Sequence, residues 1–211
     1  VAFSIKPPQN LQHYTDTTPQ TLTTELYTGS VRKLQAVADG LYLVSGNDEL
    51  EAVQYGEESA SNFAEVVAKI RSKEIVDFII IDCNPQITNL TMAGIMAADS
   101  LLIPLQPSRY SVDGLRKLFQ EVKKMRATGA SRARILGFVM NMVSGTKLHR
   151  QTVRQLRERY PEYVFDAVIH KRTAYEESPI KSQNIWDYGQ DEKAELEMSA
   201  LVKEFMRKIE V

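Results

Sequence analysis

One cysteine, Cys83, stands in 211 residues, so no internal disulfide can form, and a reducing compartment is the default expectation. Apolar runs are short. None approaches the roughly 18 residues that a membrane-spanning helix needs, and the opening residues lack the charged-then-apolar pattern of a secretory leader. Glycine and proline number only 10 and 8, which excludes collagen-like and linker-like compositions. Histidines are three, His13, His149 and His170, with no ligand spacing that would make a zinc site. What is present is ordinary for a globular chain, with 43% apolar and 25% charged residues. The length suits one domain with a real core, and the expectation is a single domain over residues 1–211.

The net charge of −1 hides an asymmetry. Residues 111–160 carry 12 basic and 3 acidic side chains, whereas residues 1–70 carry 4 and 9 and residues 161–211 carry 7 and 11. Such a cationic block is the electrostatic footprint of a polyanion-binding surface, or else a solvated helical face.

Three short apolar runs read as strands buried on both faces: 77–82, 101–105 and 135–141. Segments 42–45 and 164–169 are weaker candidates, and Pro104 suggests a strand end or a bend. Helical periodicity fills the gaps. It covers 60–72 with Phe63, Val66, Val67 and Ile70 on one face, and 112–128 with Leu115, Leu118, Phe119, Val122 and Met125. It returns over 147–160 with Leu148, Thr152, Leu156 and Tyr160 inward, and over 192–209 with Leu196, Leu201, Val202, Phe205 and Ile209 inward. Residues 9–24 read as an exposed loop leading into a short helix. Strands alternating with helices predict an α/β, doubly wound, mostly parallel sheet flanked by helices.

Ligands of such sheets bind beyond the carboxyl ends of the strands. Asp82 ends the first strong strand, where it can support Mg²⁺ through water, cap a helix or face solvent. Asn141 ends the third, where its amide can read a base edge or cap a turn. Cys83, without a paired histidine, reads as a packed small residue.

The ordered series DFIIIDCNP (77–85), LTMAGIMAAD (90–99), LIPLQP (102–107), SVDGL (111–115), GFVMN (137–141), VFDAVI (164–169) and ESP (177–179) resembles ParA-type partition ATPases. These are of the deviant Walker A class, with MinD as a relative and a P-loop NTPase-like fold. The resemblance implies ATP and Mg²⁺ as cofactors. By matching position it makes Asp82 the Walker B acid on the metal, Asn141 an adenine contact, and Lys171 and Arg172 part of the loop that closes over the base. It places Lys147, Arg150 and Arg154 in the region used for nonspecific DNA binding. It also implies partition of plasmid or chromosomal DNA, a homodimer with ATP sandwiched between subunits, and hydrolysis stimulated by a ParB-like or other adaptor. The implied place is the cytoplasm, on the nucleoid, and a membrane partner is not expected.

The chain departs from the family at one point. No Gly-Gly-x-Gly-Lys phosphate loop occurs in it, and the segment nearest to the family's Asp-x-Asp-Pro-Gln is Ile5-Lys6-Pro7-Pro8-Gln9, with both acids missing. Val1–Ile5 reads as the family's first strand and Lys6–Asn10 as the later loop, so a junction near residues 5–6 would explain both. Either the chain is a degenerate relative, or the sequence omits residues of a longer protein. Without the loop, ATP hydrolysis is not expected. Two alternatives stand beside the partition reading: a non-hydrolysing DNA-binding module, and a MinD-like membrane-cycling ATPase. The latter wants a basic amphipathic C-terminal segment, and Glu195, Glu197 and Glu204 make the last helix acidic.

Overall fold

The computed structural model describes residues 23–31, 34–38, 40–46, 50, 57–74, 76–84 and 86–210. The readings placed on residues 1–22, including the motif at 5–9 and the proposed junction, lie outside them. The chain divides into two compact units. One comprises the residues up to Asp99 together with Val122–Ala133, and the other Ser100–Glu121 with Arg134 onward.

In the first unit, α1 (Thr23–Tyr27) is followed by an antiparallel hairpin of β1 (Gln35–Ala38) and β2 (Leu41–Leu43), then by α2 (Glu57–Ser72) and α3 (Asn89–Ala97). Phe63, Val66 and Val67 of α2 are buried against Leu26, Tyr27 and Ala93, and Ile70 packs at the margin. This is the face that the 3.6-residue period marks. The side chain of Thr88 caps α3 by accepting the Thr91 N–H at 3.4 Å.

Residues 77–82 do not form the expected strand: no ladder holds them among the described residues. Their side chains alternate. Ile79 and Ile81 pack into the core of the unit, while Phe78 and Ile80 are 49% and 45% exposed. A continuous apolar run signals burial on both faces only where two layers cover it. Here, among the described residues, only one face is packed and no neighbouring strand takes up the backbone donors.

In the second unit come β3 (Ser100–Leu105), α4 (Arg109–Ala127), β4 (Arg134–Val143), α5 (Lys147–Arg159), β5 (Val164–His170), α6 (Ala174–Ile180), α7 (Ile185–Tyr188) and α8 (Glu192–Ile209). The last six residues of α4 belong to the first unit. The strands pair in parallel in the order β3-β4-β5, as the alternation of strands and helices predicts. Pro104 sits within β3, an edge strand among the described residues, where a missing N–H does least harm. Gly129, at φ +75°, follows the end of α4 where a helix stop is expected.

One sheet face buries Phe138, Met140, Val143 and Val164 against Leu115 and Leu156. The other buries Leu136, Val139, Phe165 and Ile169 against Met198, Leu201, Phe205 and Ile209 of α8. The strict two-residue alternation of β4 slips where Leu101 pairs Ile135 but Leu102 pairs Gly137. Gly137 takes φ +155°, and a Cβ there would meet the Tyr163 carbonyl oxygen at 2.3 Å, so only glycine fits this bulge.

Three inward assignments differ from the pattern. Leu148 is 59% exposed because it lies in the first turn of α5, one turn before Thr152, where the helix becomes buried. Leu196 and Val202 are 61% and 45% exposed. The face of α8 that meets the sheet and α6–α7 runs through Ala194, Met198, Leu201, Phe205 and Ile209, at steps of three and four.

Candidate functional site

At the carboxyl end of the three-stranded sheet, Val143 pairs with His170, and the Lys171 N–H donates to the Val143 carbonyl at 3.0 Å. The segments 141–144 and 170–173 therefore run side by side at one edge. Between Met140 and Val143 the ladder slips by one residue, and Met142 is held at φ +53°. The Asn141 Oδ1 accepts the Met142 N–H at 2.9 Å, so half of this amide closes its own bulge. The Asn141 amide nitrogen makes no hydrogen bond among the described residues, whereas the backbone beyond is tied: Ser144 N–H donates to His149 Nδ1 at 2.9 Å, and Thr146 Oγ1 accepts the His149 N–H at 3.2 Å to cap α5.

Lys171 is exposed. Arg172 is engaged: its Nη2 donates to Glu197 Oε1 at 2.7 Å, its Nε lies 3.2 Å from Oε2, and its Nη1 stands 3.7 Å from Asp191. The hydrogen bond to Glu197 raises the Arg172 guanidinium above its ordinary value and keeps it charged. Burial pushes the Glu197 carboxyl up. Its hydrogen bonds from Arg172 and from the His170 backbone and ring outweigh that and hold it below the usual carboxylate range. Tyr175 is raised above its usual phenol value, first by burial and then by the Glu197 charge.

On α5, Lys147, Arg150, Arg154 and Arg157 are all exposed. Arg150 donates to the Gly145 carbonyl, Arg157 to the Asp166 carbonyl at 3.1 Å, and Arg154 pairs loosely with Glu158 at 3.7 Å. With the apolar floor of Val143, Val153 and Val168, the three arginines and His170 line an open groove of about 560 Å³. Three guanidiniums at positions i, i+4 and i+7 make a cationic stripe along one helix face.

In the first unit, Asp82 is exposed and follows Ile81, which anchors the segment in the core. No group of three His, Cys, Asp or Glu side chains stands ready for a metal among the described residues. Mg²⁺ does not demand one. It keeps several waters and takes one or two carboxylates beside phosphate oxygens, so a single exposed carboxylate such as Asp82 fits that role. Cys83 is exposed as a residue, but its Sγ lies against Gly94, where an added Cβ would come within 2.8 Å of it. Burial there pushes the thiol up, away from the reactive thiolate.

The structure thus gathers Asn141, Lys171 and Arg172 at one sheet edge, with the α5 cations in the same unit. Glu197 and the groove residues Arg157 and His170 were not among the candidate site residues of the sequence. Arg157 shares a helix face with Arg150 and Arg154 by its spacing of seven and three residues. Glu197 gave no local signal, since its partners lie 25 and 27 residues earlier.

The AAA domain family (AAA_31) matches residues 9–135, more than half of the chain. The chromosome-partitioning ATPase Soj of Treponema pallidum is 32% identical over 117 residues, covering 55% of this chain and 46% of its own length. The chromosome partitioning protein ParA of Caulobacter vibrioides is 26% identical over 145 residues, covering 66% and 54%. The chain spans about half the length of these curated relatives. Apo McdA of Cyanothece superposes with a TM-score of 0.75 at 23% identity, over 95% of this chain and 85% of that one, and a McdA–ATP complex is similar at 0.67 over 93% and 82%. No helix among the described residues is long and apolar enough to cross a membrane. By the family match this chain belongs to the AAA domain family, and within it the chain is similar in sequence to the partitioning ATPases Soj and ParA and in fold to McdA.

Proposed function

We propose that this chain acts as a ParA-like ATPase that partitions DNA, binding ATP with Mg²⁺, dimerising, holding duplex DNA without sequence preference, and releasing it when an adaptor protein stimulates hydrolysis. The observation that carries the reading is the shared edge in the second unit. There the Asn141 segment lies beside Lys171, and α5, bearing Lys147, Arg150 and Arg154, starts four residues beyond β4.

In this reading the Asn141 amide nitrogen donates to the adenine edge, and Lys171 and Arg172 lie in the loop that closes over the base. Asp82 would hold Mg²⁺, through water, beside the phosphates. ATP supplies the phosphoryl bond whose hydrolysis times release, and positioning and charge stabilisation are what such a site contributes to that step. Lys147, Arg150 and Arg154 meet phosphates, so binding falls steeply with salt. The cytoplasm, on the nucleoid, is the place this function requires.

A non-hydrolysing DNA-binding module is the second reading, favoured by the missing phosphate-loop motif. Duplex binding measured with and without ATP separates the two. ATP-dependent binding supports the partition ATPase, and equal binding in both conditions supports the module. Sedimentation with anionic liposomes, if it occurred in place of DNA binding, would point to membrane cycling instead.

A further inference from the structure

Two carboxylates of α8, seven residues apart, reach β5 and the segment after it, and they do different work. Glu204 is buried, and its two oxygens accept the N–H groups of Asp166 at 3.0 Å and Ala167 at 2.8 Å. These consecutive donors lie where β5 advances four residues, from Val164 to Val168, while β4 advances two. Glu204 thus seals an irregular stretch of an edge strand and docks the helix on it.

Glu197, two turns earlier, takes its partners from the segment that follows the strand. Its Oε2 accepts the His170 N–H at 3.0 Å, and its Oε1 lies 2.9 Å from His170 Nδ1. Its two oxygens together receive the Arg172 fork. The Tyr175 hydroxyl stands 3.4 Å away while donating to the Ala194 carbonyl at 2.9 Å. The clamp therefore grips the residues on both sides of Lys171 and leaves Lys171 itself exposed.

We propose that Glu197 is a positioning residue that fixes the Lys171–Thr173 loop from α8, so that Lys171 and the loop backbone, rather than the Arg172 guanidinium, are what the loop offers to the nucleotide. The role for the nucleotide rests on the function proposed above; the positioning of the loop does not. The division of labour on α8 is the argument. Glu204 and the apolar face Met198, Leu201, Phe205 and Ile209 already dock the helix, so Glu197 is not needed for docking. A bidentate, charge-assisted acceptor directed at a loop holds that loop in one conformation and removes the entropy of ordering it on binding.

The test is Glu197→Gln, which keeps the shape and removes the charge, with Arg172→Lys as a second variant that removes the fork and keeps the charge. Amide hydrogen exchange is read without nucleotide, and affinity is read with a fluorescent ATP analogue. Loss of the charge-assisted bonds should speed exchange at His170 and Lys171, whose N–H groups donate to Glu197 and to the Val143 carbonyl, by about tenfold in both variants. Val164, Phe165 and the α8 amides should stay unchanged, and the analogue should bind about tenfold more weakly. Lys171→Ala should weaken the analogue without changing exchange at His170. Unchanged exchange at His170 overturns the clamp, and faster exchange throughout β5 and α8 makes Glu197 a docking residue and overturns it equally. Faster loop exchange with unchanged affinity overturns the nucleotide role. If the parent chain does not bind the analogue, the proposed function fails, while the exchange arm still decides the clamp.

Discussion

The helices α5 and α8 both pack on the same three-stranded sheet, on opposite faces, and both are heavily charged. Their charges are used in opposite ways. The α5 cations Lys147, Arg150, Arg154 and Arg157 stand in solvent, and the three arginines have single, peripheral partners. The α8 carboxylates Glu197 and Glu204 turn inward and take six hydrogen bonds from β5 and Arg172 between them, apart from the contact with the His170 ring. A charge count treats the two helices as mirror images. The structure makes one a surface available to a partner and the other a set of internal ties. The acidity of α8, which at the level of sequence argues only against a membrane-binding tail, has a structural purpose.

The comparison can be broken most severely at Glu204. Glu204→Ala leaves the buried Ala167 donor and the part-buried Asp166 donor without acceptors and should cost about 3 kcal/mol of stability, read as a lower midpoint in urea with the slope unchanged. A loss below about 0.5 kcal/mol, the range of ordinary surface substitutions, would mean that water replaces the carboxylate and that α8 is charged for solubility alone.

The opposite result is expected on α5. Reversing Arg150 and Arg154 together to glutamate should leave stability within about 0.5 kcal/mol. Affinity for duplex DNA should fall by about 100-fold, and the salt slope should drop by about two, as the loss of two phosphate contacts requires. Filter binding across a salt series measures both; an unchanged slope would move the DNA face elsewhere.

Acid sharpens the contrast. The folded Glu197 carboxyl is held below its ordinary value by Arg172 and by the His170 backbone and ring, with Asp191 and Tyr175 also facing the cluster. A depressed carboxyl contributes stability that is complete above the unfolded value of about 4.3 and is lost as the pH falls through the lower folded value. Melting followed downward from neutral pH should therefore show an acid limb beginning near pH 4 that is shallower in Glu197→Gln. An identical limb in the variant would show that other carboxylates govern it.

The smallest effect is expected at the exposed Arg154–Glu158 pair, 3.7 Å apart at i, i+4. Glu158→Gln should change stability by less than about 0.5 kcal/mol while slightly strengthening DNA binding, because an opposing charge leaves the stripe.

Much of the second unit was legible in its residues. The bounds of α8 at Glu192 and Ile209 follow from periodicity, and β3, β4 and β5 fall within a few residues of their apolar runs. Residues 77–82 look as strand-like as any of these, yet they make no ladder among the described residues, because a strand requires a neighbour that its own side chains cannot specify. Arg172 reads from the motif as part of the loop that closes over the base, and only the folded chain joins it to Glu197, 25 residues on.

By itself, the order of the residues determined the family, the helical faces in outline, the parallel sheet and the cationic block of residues 111–160. These depend on local periodicity, on motif order and on counting charge, all of which survive without coordinates. The tertiary structure alone decided which charges are free and which are tied. A hydrogen bond needs its two atoms within about 3 Å, and residues far apart in sequence reach that distance only once the sheet and its helices have packed.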